Sequence, residues 1–330
     1  ADSWNDCVTL TGNTAVLNKQ GAADLIVSIG DNSRTFTVYP YVAPLLGTAE
    51  NPFTIDNLTD LKNFRDGINS GVDFSYKRYR IHVENLENIH WLQTADIDVS
   101  SEGTWNPVGK QNTPFKGHYN GGGHVISNLV LSGNDMGFFK YAISGSIRKL
   151  GFQNPSTSCS GYSAVLVAYA GDELIDSCYA TASSDITLNF SCGGACAAIV
   201  GRVMEYSEVH VNNCHNSCNI KNKSHGYTGG VVGNAHDKGS HLYMYNCYNT
   251  GKIVYAGKGS WIGVGGVFGG IWNNNEGATT KLDFCYNTGK IEATNGFVGG
   301  VMGEGRHSGG NVVSYCMNTG DVIVDGHPGD

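Results

Sequence analysis

The chain has 330 residues, 46 of them glycine and 7 proline, with 15% charged residues and a formal net charge of −8. That length holds two average domains or one large all-β domain, and glycine used this freely without a three-residue period excludes collagen and predicts many tight turns. The absence of a Lys/Arg cluster argues against a phosphate-tracking nucleic-acid surface and a polybasic membrane face, and no apolar run reaches the roughly 18 residues of a bilayer-spanning helix.

The first 45 residues alternate apolar and polar positions in "CVTLTG", "DLIVSIG" and "RTFTVYPYV", with "GDNSR" as a hairpin turn between the last two. This predicts a small β segment, or a fragment of an Ig-like sandwich, which when complete needs about 100 residues. Its opening Ala1, with no signal peptide in view, fits a mature secreted protein and a trimmed form equally.

Residues 46–90 read as an N-terminal cap. Leu58, Leu61, Phe64 and Ile68 share one helical face, Asn57 is placed to start the helix, and Gly71 is placed to end it. A short amphipathic helix here would cover the open edge of a solenoid and prevent edge-to-edge pairing. A partner-binding helix is the alternative.

Residues 91–330 are repetitive. "CYNTGKI" stands at 247–253 and again at 285–291, with worn copies "CHNSCNI" at 214–220 and "CMNTGDV" at 316–322. Cys178, Cys214, Cys247, Cys285 and Cys316 are separated by 36, 33, 38 and 31 residues, an uneven spacing that suits structural units with variable loops. Leu129 and Leu150 read as earlier occupants of the same slot, so cysteine behaves here as a small buried hydrophobe.

Three residues before the slot runs an apolar column: Ile126, Ile147, Ile175, Val211, Met244, Leu282 and Val313. After it, Ile220, Ile253, Ile291 and Val322 fall in register, and between these lies a glycine-flanked apolar pair, as in "GGVVG", "GGVFG" and "GGVMG". The pattern predicts an all-β fold, a right-handed parallel β-helix with three strands per rung.

Rungs about 4.8 Å apart would stack Asn216, Asn249, Asn287 and Asn318 into an amide ladder along the axis. The stacked cysteines would have parallel Cβ vectors at about that same spacing, wider than the roughly 3.5–4.5 Å of a disulfide, so a thiol ladder is the expectation. The C-x3-C pairs Cys192/Cys196 and Cys214/Cys218 leave small bridges open, but no converging histidine pattern supports metal.

Chemistry is sparse. Asp96 and Asp98 share a strand face and read as an acid/base pair, a Ca²⁺ site or turn caps, the caps being preferred. None of the eleven histidines has a spacing backed by acids, and no G-x-S-x-G elbow, P-loop or dinucleotide fingerprint occurs. A glycan-degrading β-helix, a polysaccharide lyase or glycoside hydrolase, would need clustered acids or Lys/Arg/Tyr on adjacent rungs, and the repeats show no such column. The expectation is therefore a chain that is not an enzyme, with no catalytic residue, metal or cofactor.

One surface feature does recur. Tyr179, His215, Tyr248, Tyr286 and Met317 follow the slot and should point outward by strand alternation. They predict either a stripe of ring faces for sugar rings or an extended polypeptide, or a satellite hydrophobic layer beneath a loop. Trp261 and Trp272 form a second candidate contact.

From residue 47 onward the order of segments resembles bacterial surface proteins carrying GLUG-type repeats. "GTAENPFTI", "WLQTADIDVS", "TWNPVG", "FKGHYNGGGHVISNL" and "MGFFKYAISGSIRKLGF" follow one another as in that family, and the later units look like repeats found in such proteins of gut Bacteroidetes. The likeness spans about 280 of the 330 residues. It implies a secreted or cell-surface β-helical adhesin and no catalytic mechanism. Similar repeats accompany immunoglobulin-A-cleaving metallopeptidases, whose H-E-x-x-H zinc signature this sequence lacks.

The combined expectation is an extracellular adhesin-like protein binding host or dietary glycans or a protein ligand, without nucleic acid or membrane insertion. A spacer that carries another domain is the alternative within the same class, and a β-helical glycan-degrading enzyme, a polysaccharide lyase or glycoside hydrolase, is the alternative across classes. An open solenoid end would add weak self-association.

Overall fold

The structure, a computed structural model, describes residues 46–325 other than 78, 184–185, 236–237, 259–261, 272–276 and 306–309, together with the backbone of four strands before residue 46. The chain divides into two units, Ala1–Phe53 and Thr54–Asp330.

In the first unit, Val8–Thr11 pairs antiparallel with Thr14–Leu17. Ala23–Ile29 pairs antiparallel with Asn32–Val38, Ile29 facing Asn32. The connection between them coincides with the turn expected in "GDNSR", whose Gly30 and Asp31 lie outside the described residues.

The second unit is a parallel β-solenoid of about seven turns. Its strands stack into three sheets, which form its three faces. An early rung uses three strands, Ser156–Ala164, Val167–Asp176 and Tyr179–Thr181. In later rungs the two long strands break: one rung runs through Asn219–Asn222, Tyr227–Gly229, Val232–Ala235, His241–Tyr245 and Tyr248–Asn249. The three faces persist while the path along two of them is interrupted.

The repeated cysteine marks a corner. Immediately before it the chain kinks through one left-handed residue: Ser177, Asn213, Asn246, Phe284 and Tyr315 all have φ between 50° and 57°. The kink turns the next side chain inward, and Leu150, Cys178, Cys214, Cys247 and Cys285 are fully buried. The described cysteines are free thiols. Burial pushes Cys214 well above the ordinary thiol value, and Cys159 and Cys218 up to about 12.

Leu129 and Ile126 do not belong where the repeat placed them. Ile126 pairs with Phe152, and the left-handed Asn128 aligns with Asn154, so Leu129 lies at the following corner of the rung. Both corners use the same short apolar grammar, and the sequence copies alone could not separate them.

The amide ladder forms as expected. Asn216 donates to Asn249 Oδ1, Asn249 to Asn287 and Asn287 to Asn318, each at 2.8 Å. Each amide also donates to a carbonyl two residues on, as Asn249 does to Gly251 at 2.7 Å, which satisfies a buried corner.

The glycine-flanked pair has a packing cause. A β-carbon on Gly269 would fall 2.3 Å from the Gly233 carbonyl and 2.9 Å from the Thr228 amide nitrogen. Two sheet layers therefore approach backbone to backbone along this line, and only glycine fits between them.

The helix α1, Leu58–Ser70, closes the first end. Asn57 Oδ1 accepts the Asp60 amide at 3.1 Å, and Gly71 ends the helix at φ 68°. Leu61, Phe64 and Ile68 are buried, with Phe64 4.7 Å from Trp91 and 5.6 Å from Tyr119, ring to ring. Arg65, on the same helix, lies over Trp105 and pairs with Glu102 at 3.3 Å.

Candidate functional site

Tyr179, His215, Tyr248 and Tyr286 occupy consecutive rungs in parallel register, each on the strand just past its corner. Their rings stack at 5.0, 4.6 and 4.7 Å with interplanar angles of 7°, 2° and 5°. Parallel rings one rung apart turn their faces to one another and not to solvent. Beneath the first ring, a β-carbon at Gly151 would lie 2.4 Å from Tyr179 Cζ, so glycine makes room for it. Beyond the last, Met317 continues the register.

The stripe of free faces foreseen for sugar stacking is thus a closed stack. What it can offer a ligand is its edge, phenol hydroxyls and an imidazole at the spacing of the rungs. All four side chains are half-buried. Burial lowers the His215 pKa, so the imidazole is neutral at pH 7, and burial followed by the neighbouring Tyr286 raises Tyr248. The strip carries no charge.

Trp261 and Trp272, the second candidate contact, lie outside the described residues. Asp96 and Asp98 serve as turn caps. Asp96 accepts the Val125 amide at 3.0 Å, while Asp98 accepts the Ser100 amide at 2.8 Å and the Asn128 side chain at 3.1 Å. These bonds, with the backbone contribution largest, hold both carboxylates below their ordinary value. Among the described residues no group of three or more His, Cys, Asp or Glu side chains is placed to hold a metal ion.

Two further groups escaped the sequence reading. His210 and Tyr243 stack at 4.8 Å, with Lys281 Nζ 5.6 Å from the Tyr243 ring. Tyr141, Tyr169 and Arg202 form a column on three adjacent rungs. The signal for the second was present as "FKYA" and "VAYA", 28 residues apart, but it precedes the cysteine repeats on which the register was built.

No family model matches the chain. Over 130 residues it is 28% identical to a protein of Evansella cellulosilytica described as a "Putative Gly-rich membrane protein"; the match covers 38% of this chain and 14% of that protein. A solved structure described as a putative immunoglobulin A1 protease from Bacteroides ovatus superposes with a TM-score of 0.61 at 22% identity, covering 84% of this chain and 78% of that one. What the two share is the parallel solenoid. A looser likeness, TM-score 0.48 at 15% identity, covers 97% of this chain and 24% of a chain described as "IgA1 Protease".

The Bacteroides ovatus neighbour overturns the expectation that the chain is not an enzyme. The same solenoid occurs in a chain described as a protease, so the lack of a short catalytic motif in the repeats does not separate binder from enzyme. No helix among the described residues is long and apolar enough to cross a membrane.

Proposed function

We propose that this chain is the recognition solenoid of a secreted or cell-surface protein, adhesin-like in holding an extended ligand along the Tyr179–His215–Tyr248–Tyr286 strip. The observation that carries the reading is a neutral row of stacked aromatic edges repeating at 4.6–5.0 Å. Because the ring faces are covered, contact runs through hydroxyl and imidazole hydrogen bonds. That suits the hydroxyl groups of a host or dietary glycan. The surface placement is supported by the resemblance to GLUG-type proteins and by the Gly-rich relative described as a membrane protein.

A second reading is favoured by the likeness to the Bacteroides ovatus structure. In it the strip holds a polypeptide, as part of a protease-like protein.

A glycan and mucin binding screen, with immunoglobulin A as a polypeptide probe, tests both readings. The Tyr248→Phe/Tyr286→Phe variant keeps the stack and removes two hydroxyls, and the corresponding alanine variant removes the rings; circular dichroism checks the fold of each. Saturable glycan binding weakened in both variants supports the first reading, and binding of immunoglobulin A with the same loss supports the second. Binding untouched by either variant removes the strip from the site.

A further inference from the structure

Tyr141 pairs in register with Tyr169, and Tyr169 with Arg202, so three consecutive rungs carry these side chains in one column. The two tyrosine rings stack at 4.5 Å and 3°. From the preceding strand of its rung, Tyr162 leans on Tyr169 at 5.6 Å, and the Arg202 guanidinium carbon lies 4.4 Å from the Tyr162 ring centroid. Tyr141, Tyr162, Tyr169 and Arg202 are all half-buried, and so reachable from solvent.

The arrangement is held from two sides. Asp135, at φ 55°, accepts the Tyr162 amide at 2.9 Å and fixes the bend that aims this ring. On the next rung, a β-carbon at Gly194 would lie 2.6 Å from Tyr162 ring atoms, so the glycine leaves the ring its place.

Arg202 is the unusual member. Stacking on Tyr162 engages the face of the guanidinium and leaves its N–H edge free to donate. Among the described residues no carboxylate lies within ion-pair distance of it. The next position in its column is Asn234, whose amide donates to the Gly270 carbonyl at 3.0 Å. The first acid further along, Glu304, accepts the Tyr227 hydroxyl at 2.7 Å. Asp135 is the carboxylate nearest the phenols, but it makes no ion pair with Arg202, and a half-buried guanidinium left unpaired beside phenols is arranged to take an anion from outside the chain.

We propose that Tyr141, Tyr162, Tyr169 and Arg202 form a subsite for the carboxylate-bearing sugar of an acidic glycan. One guanidinium beside three phenols matches a ligand with a single charge and several hydroxyl groups. A peptide carboxylate brings amide or aliphatic neighbours in place of those hydroxyls. The nearby Asp135 carboxylate disfavours a dianion such as phosphate. Burial, and after it Asp135, push the Tyr141 and Tyr169 phenols up, so both stay protonated. The site is separate from the Tyr179–Tyr286 strip, and either can fail without the other.

Isothermal titration of the full chain tests it, with N-acetylneuraminate and galacturonate as acidic sugars. Galactose serves as the neutral control, inorganic phosphate as the dianion, and an N-acetylated glutamate amide as the peptide carboxylate. Saturable binding of an acidic sugar is expected, weakened about tenfold or more by Arg202→Gln. Tyr169→Phe keeps the ring stack and should weaken binding several-fold; it also serves if Arg202→Gln fails to fold by circular dichroism. Equal binding of galactose, tighter binding of phosphate or of the peptide carboxylate, or indifference to both substitutions would overturn the assignment. So would the absence of saturation by either acidic sugar at millimolar concentration.

Discussion

Phe64, on the cap helix α1, and Val313, in an apolar column of the solenoid, are both apolar residues near an end of the stack, yet Phe64 is fully buried against Trp91 and Tyr119 while Val313, in the last described rung, is 50% exposed. The same holds for Val322 at 39%, although Leu282 and Ile291, one rung earlier in those two columns, are fully buried. Side chains of one kind at one position in the repeat thus meet opposite environments. In a solenoid, burial is supplied by the neighbouring rung or cap, and a residue's character only makes it suitable for burial.

The largest test of that contrast removes side chains from the two ends. Phe64→Ala should destabilise the fold by about 3–5 kcal/mol, because it opens a cavity against Trp91 and Tyr119. Val313→Ala should cost below about 1 kcal/mol, since little buried area is lost. Urea denaturation measures both, and equal losses would break the comparison.

Next comes the glycine line. Gly269→Ala forces a methyl against two backbones and should cost about 1–3 kcal/mol by the same measurement. A neutral result would mean that the two layers separate freely. The amide ladder repeats the contrast on polar groups. Asn249→Ala strips buried corner carbonyls of their partners at a cost of about 1–3 kcal/mol, whereas Asn318→Ala, at the solvent-exposed end, should cost less.

A smaller effect is expected from pH. Burial lowers His118 and His215 from their ordinary value of 6.5, so both favour the neutral form in the fold. Their stability contribution is present above pH 6.5 and is lost as pH falls through the depressed folded values. Thermal melts from about pH 7.5 to about pH 5 should show Tm falling, with a shallower slope in His215→Phe. An unchanged slope would assign the loss to other groups. Weak self-association of this chain through the apolar residues exposed on the last described rung is the smallest effect foreseen, read by sedimentation velocity as concentration rises.

How much of this was legible beforehand differs between the scaffold and the site. The cap helix could be read to its ends, because Asn57, Gly71 and the Leu61–Phe64–Ile68 spacing act within a few residues of one another. The thiol and amide ladders were also legible, since a parallel stack turns equal sequence positions into neighbours. Leu129 was misplaced because two corners of the rung share one local pattern. The Tyr179–Tyr286 strip was found by its spacing, but its closed faces were not foreseen. Strand alternation says that a side chain points outward and leaves undetermined how its ring is turned.

By itself, then, the sequence determined the solenoid, its cap and the inward columns, because those depend on periodicity and local backbone preference. Only the tertiary structure decided which rings stack face to face, and that Arg202 stands beside three tyrosines with no carboxylate in ion-pair distance among the described residues. These depend on contacts between residues some thirty positions apart, whose relative placement is set by the register of the rungs and not by any local pattern.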